Sequence, residues 1–312
     1  MRSLIKIYDD WEGKGAAIFM AISVSLAFYE VLSRFFLHTS IDWSSEITIY
    51  SIILCAILGT SILIKKDEHV RVDFVLIRFN EERQRLLKFL NGVLCLVFSA
   101  MTAYSGFLMV HQAFVMGPRS ESTLETPLWI PYLMMPFAGI LFSLRLIQYL
   151  SSLTPKINFG RALKDPLFWV FVFAGLGIYA LLLGGYDPSM ILVVGLLVFL
   201  VLGMPIAFAL GVVCLVVLYV LHMIPMAGFA AKMFEGMGKY SFLSIPFFIL
   251  SGTFMTRGGI AGPLLNFAYD FLKPIRGGFA IAVMVACIIF AALSGASVAI
   301  AAAVGLCICH RD

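Results

Sequence analysis

Charge is the scarce ingredient of this chain. Asp, Glu, Lys and Arg make up only 13% of its 312 residues, roughly half the share of a soluble domain, and the mean hydropathy is +0.99. Strict apolar–polar alternation over ~10 residues is also missing, which removes a β-barrel. There is no Ser-His-Asp order, no zinc-ligand spacing and no phosphate loop, so the chain is not expected to be an enzyme or to hold a cofactor. The first apolar run lacks a small-residue cleavage site and reaches a full span, which predicts a retained helix rather than a signal peptide. What remains is an all-α, polytopic membrane protein.

The six cysteines add little. Cys55, Cys95, Cys214 and Cys287 fall in apolar runs, where the thiol is ordinarily inert packing. Cys307, Cys309 and His310 cluster near the end but lack a fourth ligand, which argues against a metal site. The net charge of +4 is gathered in a few short segments. That distribution speaks of membrane topology and against a nucleic-acid partner.

Apolar runs predict spans over about 16–36, 43–64, 86–115 and 127–150. The N-terminus, the segment 65–88 and the segment 145–164 hold fourteen Lys and Arg, against Arg119 alone on the other side. Four spans with both ends cytoplasmic follow. A fifth span covers 166–183. The apolar run 189–222 is too long for one crossing and breaks at Gly203-Met204-Pro205, predicting two short helices. Residues 263–272 form an amphipathic helix too short to cross, suited to the membrane surface or to a simple connector.

The run 279–305 has no charge but holds Ser294-Gly295-Ala296-Ser297 at its middle. The arm before this knot reaches roughly 22 Å as a helix, short of a ~30 Å bilayer core. Two half-helices meeting at an unwound turn fit these lengths, and such a turn offers carbonyls to a cation. A long tilted helix kinked at Gly and Ser fits them as well. In the membrane, Glu30 and Arg34 stand at i and i+4 in the order that favours a pair, and burial against each other or another part is the structural expectation for them and for Glu46. His69 is expected as a surface feature or subunit contact.

The order of these parts is recognisable. Residues up to about 155 resemble the small membrane subunit of tripartite ATP-independent periplasmic (TRAP) transporters. The resemblance rests on Glu30 and Arg34, Trp43 with Glu46, Gly59, and above all Lys65-Lys66-Asp67-Glu68-His69-Val70-Arg71-Val72-Asp73. From about Asp187 the chain is similar to the start of the large subunit. Gly203-Met204-Pro205-Ile206-Ala207-Phe208-Ala209-Leu210-Gly211, Ser244-Ile245-Pro246-Phe247-Phe248-Ile249-Leu250-Ser251-Gly252, Arg276-Gly277-Gly278 and Phe290–Ala299 carry it.

The resemblance implies a small-subunit domain over 1–155, a linker with a joining helix over 156–186, and part of a large subunit over 187–312. About eight spans and a re-entrant hairpin are implied, in a bacterial inner membrane with the N-terminus cytoplasmic. The implied activity is sodium-coupled import of small organic acids such as C4-dicarboxylates or sialic acid. A periplasmic substrate-binding protein delivers the ligand, and membrane lipid surrounds the whole. Sodium would lie at Ser294, Gly295, Ala296 and Ser297, with substrate bordering Ser294 and Ser297. Large subunits of this kind continue well past a second hairpin, so the chain is expected to be a truncated product that needs the remaining part of the large subunit. The alternative is a membrane assembly or scaffold fragment that does not transport.

Overall fold

A computed structural model describes residues 2–39, 41–71, 76–154, 165–184, 186–221, 224–239, 261–274 and 277–294, with scattered positions between 242 and 259. Among the described residues every regular element is a helix, apart from one isolated bridge between Arg119 and Pro127. Helices α1 (Arg2–Leu32) and α2 (Asp42–Lys66) come first, then α3 (Glu81–Met116), a short α4 (Trp129–Tyr132) and α5 (Met134–Leu153). Next are α6 (Pro166–Leu183), α7 (Pro188–Val201), α8 (Ile206–Val220), α9 (Met226–Met237), α10 (Ala261–Leu272) and α11 (Gly278–Ser294).

Four stretches are long and apolar enough to cross a membrane: Trp11–Leu37, Asp42–Lys66, Glu81–Met116 and Trp129–Leu153. They match the first four expected spans. The other apolar helices, Pro166–Leu182, Pro188–Val201, Ile206–Val220 and Gly278–Ile289, are shorter. The 14 residues of α7 rise only about 21 Å. Of the about eight spans expected, the described residues display four long ones and four shorter apolar helices.

Local chemistry accounts for the boundaries. Asp165 caps α6 by accepting from the Leu167 N–H at 3.1 Å, with Pro166 in the first turn, where its missing N–H costs nothing. Pro188 opens α7 in the same way. Gly117 closes α3 in a left-handed conformation, φ +64°, donating to the Ala113 carbonyl at 3.0 Å.

The described residues of 1–19 and 53–237 pack as one unit, and those of 20–52 and 238–312 as another. In the first, α3 and α5 lie backbone to backbone. Gly139 sits against Ala103 and Gly106 against Pro136, so closely that a Cβ at either glycine would overlap its neighbour. Ser99 and Ser143 share a hydrogen bond of 3.0 Å across that contact. Helices α7 and α8 add Phe199, Phe208 and Val213 to a core that includes Phe98 and Leu87 of α3, and α9 covers Met109 and Met135.

In the second unit, the Ser44 hydroxyl of α2 donates to the Leu26 carbonyl of α1 at 3.3 Å. Helix α10 packs on α11 through Ala268, Ala282 and Ala286, with the Tyr269 and Phe279 rings 6.0 Å apart. The exposed Phe267 and Phe271 on α10 fit the expected amphipathic helix.

Candidate functional site

A helix that stops leaves carbonyls without partners, and a helix that starts leaves N–H groups without partners. The break between α7 and α8 does both at once, and residues much earlier in the chain answer each end. Asn91 of α3 donates its Nδ2 to the Leu202 carbonyl at 3.0 Å. The Val70 carbonyl, in the segment after α2, accepts from the Ile206 N–H at 3.1 Å. Gly203 holds φ at +78°, and the tip of the Leu76 side chain occupies the place a Cβ would need, so any other residue is strained there. The His69 ring meets the Phe208 ring edge to face at 5.5 Å.

Asp67 organises the early side of this seam. It accepts from Arg71 at 2.7 Å, from Lys88 at 2.8 Å and from the Tyr149 hydroxyl at 3.3 Å. Burial pushes the Asp67 carboxyl up, but hydrogen bonds and charge from Lys88 and Arg71 outweigh it and hold the group below the usual carboxylate range. Burial pushes His69 down from its ordinary value, against the opposing pull of Asp67. A cavity of about 40 Å³ lies between the two sides, with Asp67, His69, Lys88 and Asn91 facing Gly203 and Phe208. Two phrases that stand far apart in sequence, 65–73 and 203–211, thus meet. His69, expected as a surface feature or subunit contact, lies half-buried against Phe208; Asp73 lies outside the described residues.

A second polar site was not visible in the sequence. Arg145 of α5 pairs with Glu12 of α1, their side chains 0% and 1% exposed. Ser61 of α2 donates to Glu12 at 2.9 Å, and Arg145 also reaches Gln148 at 3.0 Å. Sequence reading counts Arg145 among the bases in or beside the linker, although it falls within the expected span 127–150; the structure puts it inside the Trp129–Leu153 span. A buried arginine is tolerable there because Glu12 supplies the opposite charge. Removing it from the topological count leaves thirteen bases against one (14 − 1), so the asymmetry survives.

The expected pair of Glu30 and Arg34 forms at 3.0 Å. Glu46 accepts from the Tyr50 hydroxyl at 2.7 Å within its own helix. Of the expected ion site, Ser294 is the last described residue of α11. Gly295, Ala296 and Ser297 lie outside the described residues, as do Cys307, Cys309 and His310. Among the described residues, no three His, Cys, Asp or Glu side chains gather as a metal site would require.

Two family models match the chain in sequence order. Tripartite ATP-independent periplasmic transporters, DctQ component, matches residues 23–155, and the DctM component of the same transporters matches 193–311. The isethionate TRAP transporter permease protein DctMQ of Oleidesulfovibrio alaskensis is 29% identical over 263 residues, 84% of this chain and 41% of that protein. The sialic acid TRAP transporter permease protein SiaT of Haemophilus influenzae is 26% identical across 95% of this chain and 49% of its own length. The C4-dicarboxylate TRAP transporter large permease protein DctM of Rhodobacter capsulatus is 42% identical over 118 residues, 38% of this chain and 27% of that protein. The chain spans less than half the length of these relatives.

Proposed function

The chain belongs to the tripartite ATP-independent periplasmic transporters, with a DctQ-type region followed by part of a DctM-type region, and from that premise we propose that it serves sodium-coupled uptake of small organic anions. It is a membrane permease component and not an enzyme. The observation that carries the proposal is the ordered pair of matches, 23–155 and then 193–311. Relatives named for isethionate, sialic acid and C4-dicarboxylate widen the substrate class to carboxylates or sulfonates.

The domain division is 1–155, 156–186 and 187–312. A bacterial inner-membrane location with the N-terminus cytoplasmic is supported by the basic-residue asymmetry. A periplasmic binding protein hands over the anion, and the remaining part of a large subunit completes the transport domain. The knot Ser294-Gly295-Ala296-Ser297 is the tip of a re-entrant hairpin. Its carbonyls and hydroxyls suit sodium, a hard cation that prefers oxygen, and Ser294 and Ser297 donate to the substrate anion. The 17 residues of α11 rise about 25 Å, which suits an arm that stops short of a full crossing.

The test is uptake of radiolabelled succinate, sialic acid and isethionate into proteoliposomes holding the full chain, with candidate binding proteins added. Uptake that needs sodium and falls with Ser294→Ala or Ser297→Ala is expected. Uptake indifferent to sodium rejects the coupling. No uptake from folded protein, restored by the remaining large-subunit part, assigns this chain an assembly role and leaves transport to the completed pair.

A further inference from the structure

The seam at the helix break leaves two buried atoms without a protein partner, Nε2 of His69 and Oδ1 of Asn91. Both residues line the same cavity of about 40 Å³. The Asn91 amide has only one sensible orientation, because its Nδ2 donates to the Leu202 carbonyl. Its Oδ1 is therefore a pure acceptor, and an unmet buried acceptor is costly. The His69 ring packs at right angles to the Phe208 ring, their centroids 5.5 Å apart, at the wall of this cavity.

These atoms choose among ligand classes. An anion would be repelled by the Asn91 Oδ1. A cation would sit beside Lys88 and Arg71, whose charges are only partly offset by Asp67. An apolar group would leave both atoms unmet. A neutral species that donates and accepts in a small space satisfies all three conditions. Water needs only about 10–15 Å³ of such volume per molecule and two to four polar partners.

We propose that this cavity is a hydration site, holding one or two bound waters that donate to Asn91 Oδ1 and engage His69 Nε2. The water completes the cap that Asn91 places on Leu202, so the break between α7 and α8 is secured by a wet joint and not by direct contacts alone. A water follows a small shift of α8 with its hydrogen bonds intact, where a side chain fixed to both sides would lose one. The proposal is independent of substrate and sodium coupling.

X-ray hydroxyl-radical footprinting of the full chain in lipid nanodiscs tests it, since a bound water is itself the source of the radical. Phe208 lines the cavity, while Phe199 is equally buried in dry core. Phe208 is expected to label several-fold faster than Phe199. In His69→Phe, which keeps a ring beside Phe208 but removes Nε2, the excess should fall towards the Phe199 rate. Equal labelling of the two phenylalanines in the unaltered chain would overturn the proposal. So would an excess at Phe208 that His69→Phe leaves untouched, because the water would then be held by other groups.

Discussion

Glu12 and Glu30, towards opposite ends of α1, each pair with an arginine, and the two pairs are opposites in setting. Glu12 and Arg145 are sealed from solvent, with side chains 1% and 0% exposed, and a third helix contributes Ser61. Glu30 and Arg34 belong to one apolar stretch, Trp11–Leu37; the carboxylate is 6% exposed while the guanidinium is 60% exposed. The same two charges therefore do different things. A buried pair taken apart strands a charge in a low dielectric, whereas an exposed guanidinium keeps its water. Burial, more than pairing, sets what each charge is worth.

The sharpest way to break that contrast is Glu12→Leu. It leaves Arg145 buried without its carboxylate and should cost about 3–5 kcal/mol. Thermal unfolding of the detergent-solubilised chain would report it as a large loss, and adding Arg145→Met should recover most of it. A double variant no more stable than the single would mean that the arginine was not the source of the cost.

The break at Gly203 extends the same rule from charge to shape. Gly203→Ala forces a side chain into a left-handed backbone, at about 1–3 kcal/mol, and drives its Cβ into Leu76. In a Leu76→Ala background the substitution should cost less, because only the backbone part remains. Asn91→Leu removes the cap on the Leu202 carbonyl and should cost about 1–3 kcal/mol by the same melting measurement. Arg85→Gln, which parts the exposed pair with Glu81, closes the series at under about 1 kcal/mol. A loss as large as that of Glu12→Leu would end the argument from burial.

What could be read without a structure divides along physical lines. The four long spans follow from hydropathy alone, and the Gly203-Met204-Pro205 interruption follows from the two residue types that helices exclude. Glu30 and Arg34 were legible because i and i+4 are neighbours on any helix. Glu12 and Arg145 are 133 positions apart, and no local rule joins them. Arg145 lies near the end of its helix, where an unpaired base normally reaches for the interface, so it read as a topological charge. The available hint was that it falls inside the span expected over 127–150. Asn91 carried no signal at all, since the sequence marks the break at Gly203 but not which distant side chain caps the Leu202 carbonyl. Of the expected ion turn, only Ser294 falls among the described residues.

The seam at Gly203 has a consequence for assembly. Its early side, Val70, Leu76 and Asn91, lies in the DctQ-type region, and its later side, Leu202 to Phe208, lies in the DctM-type region. With both on one polypeptide, their meeting is an intramolecular event and not a bimolecular one. Dilution into a large membrane cannot separate them, and unequal synthesis cannot leave one in excess. The early face is also the first to be made, so the broken helix pair emerges from the ribosome onto a template already waiting for it.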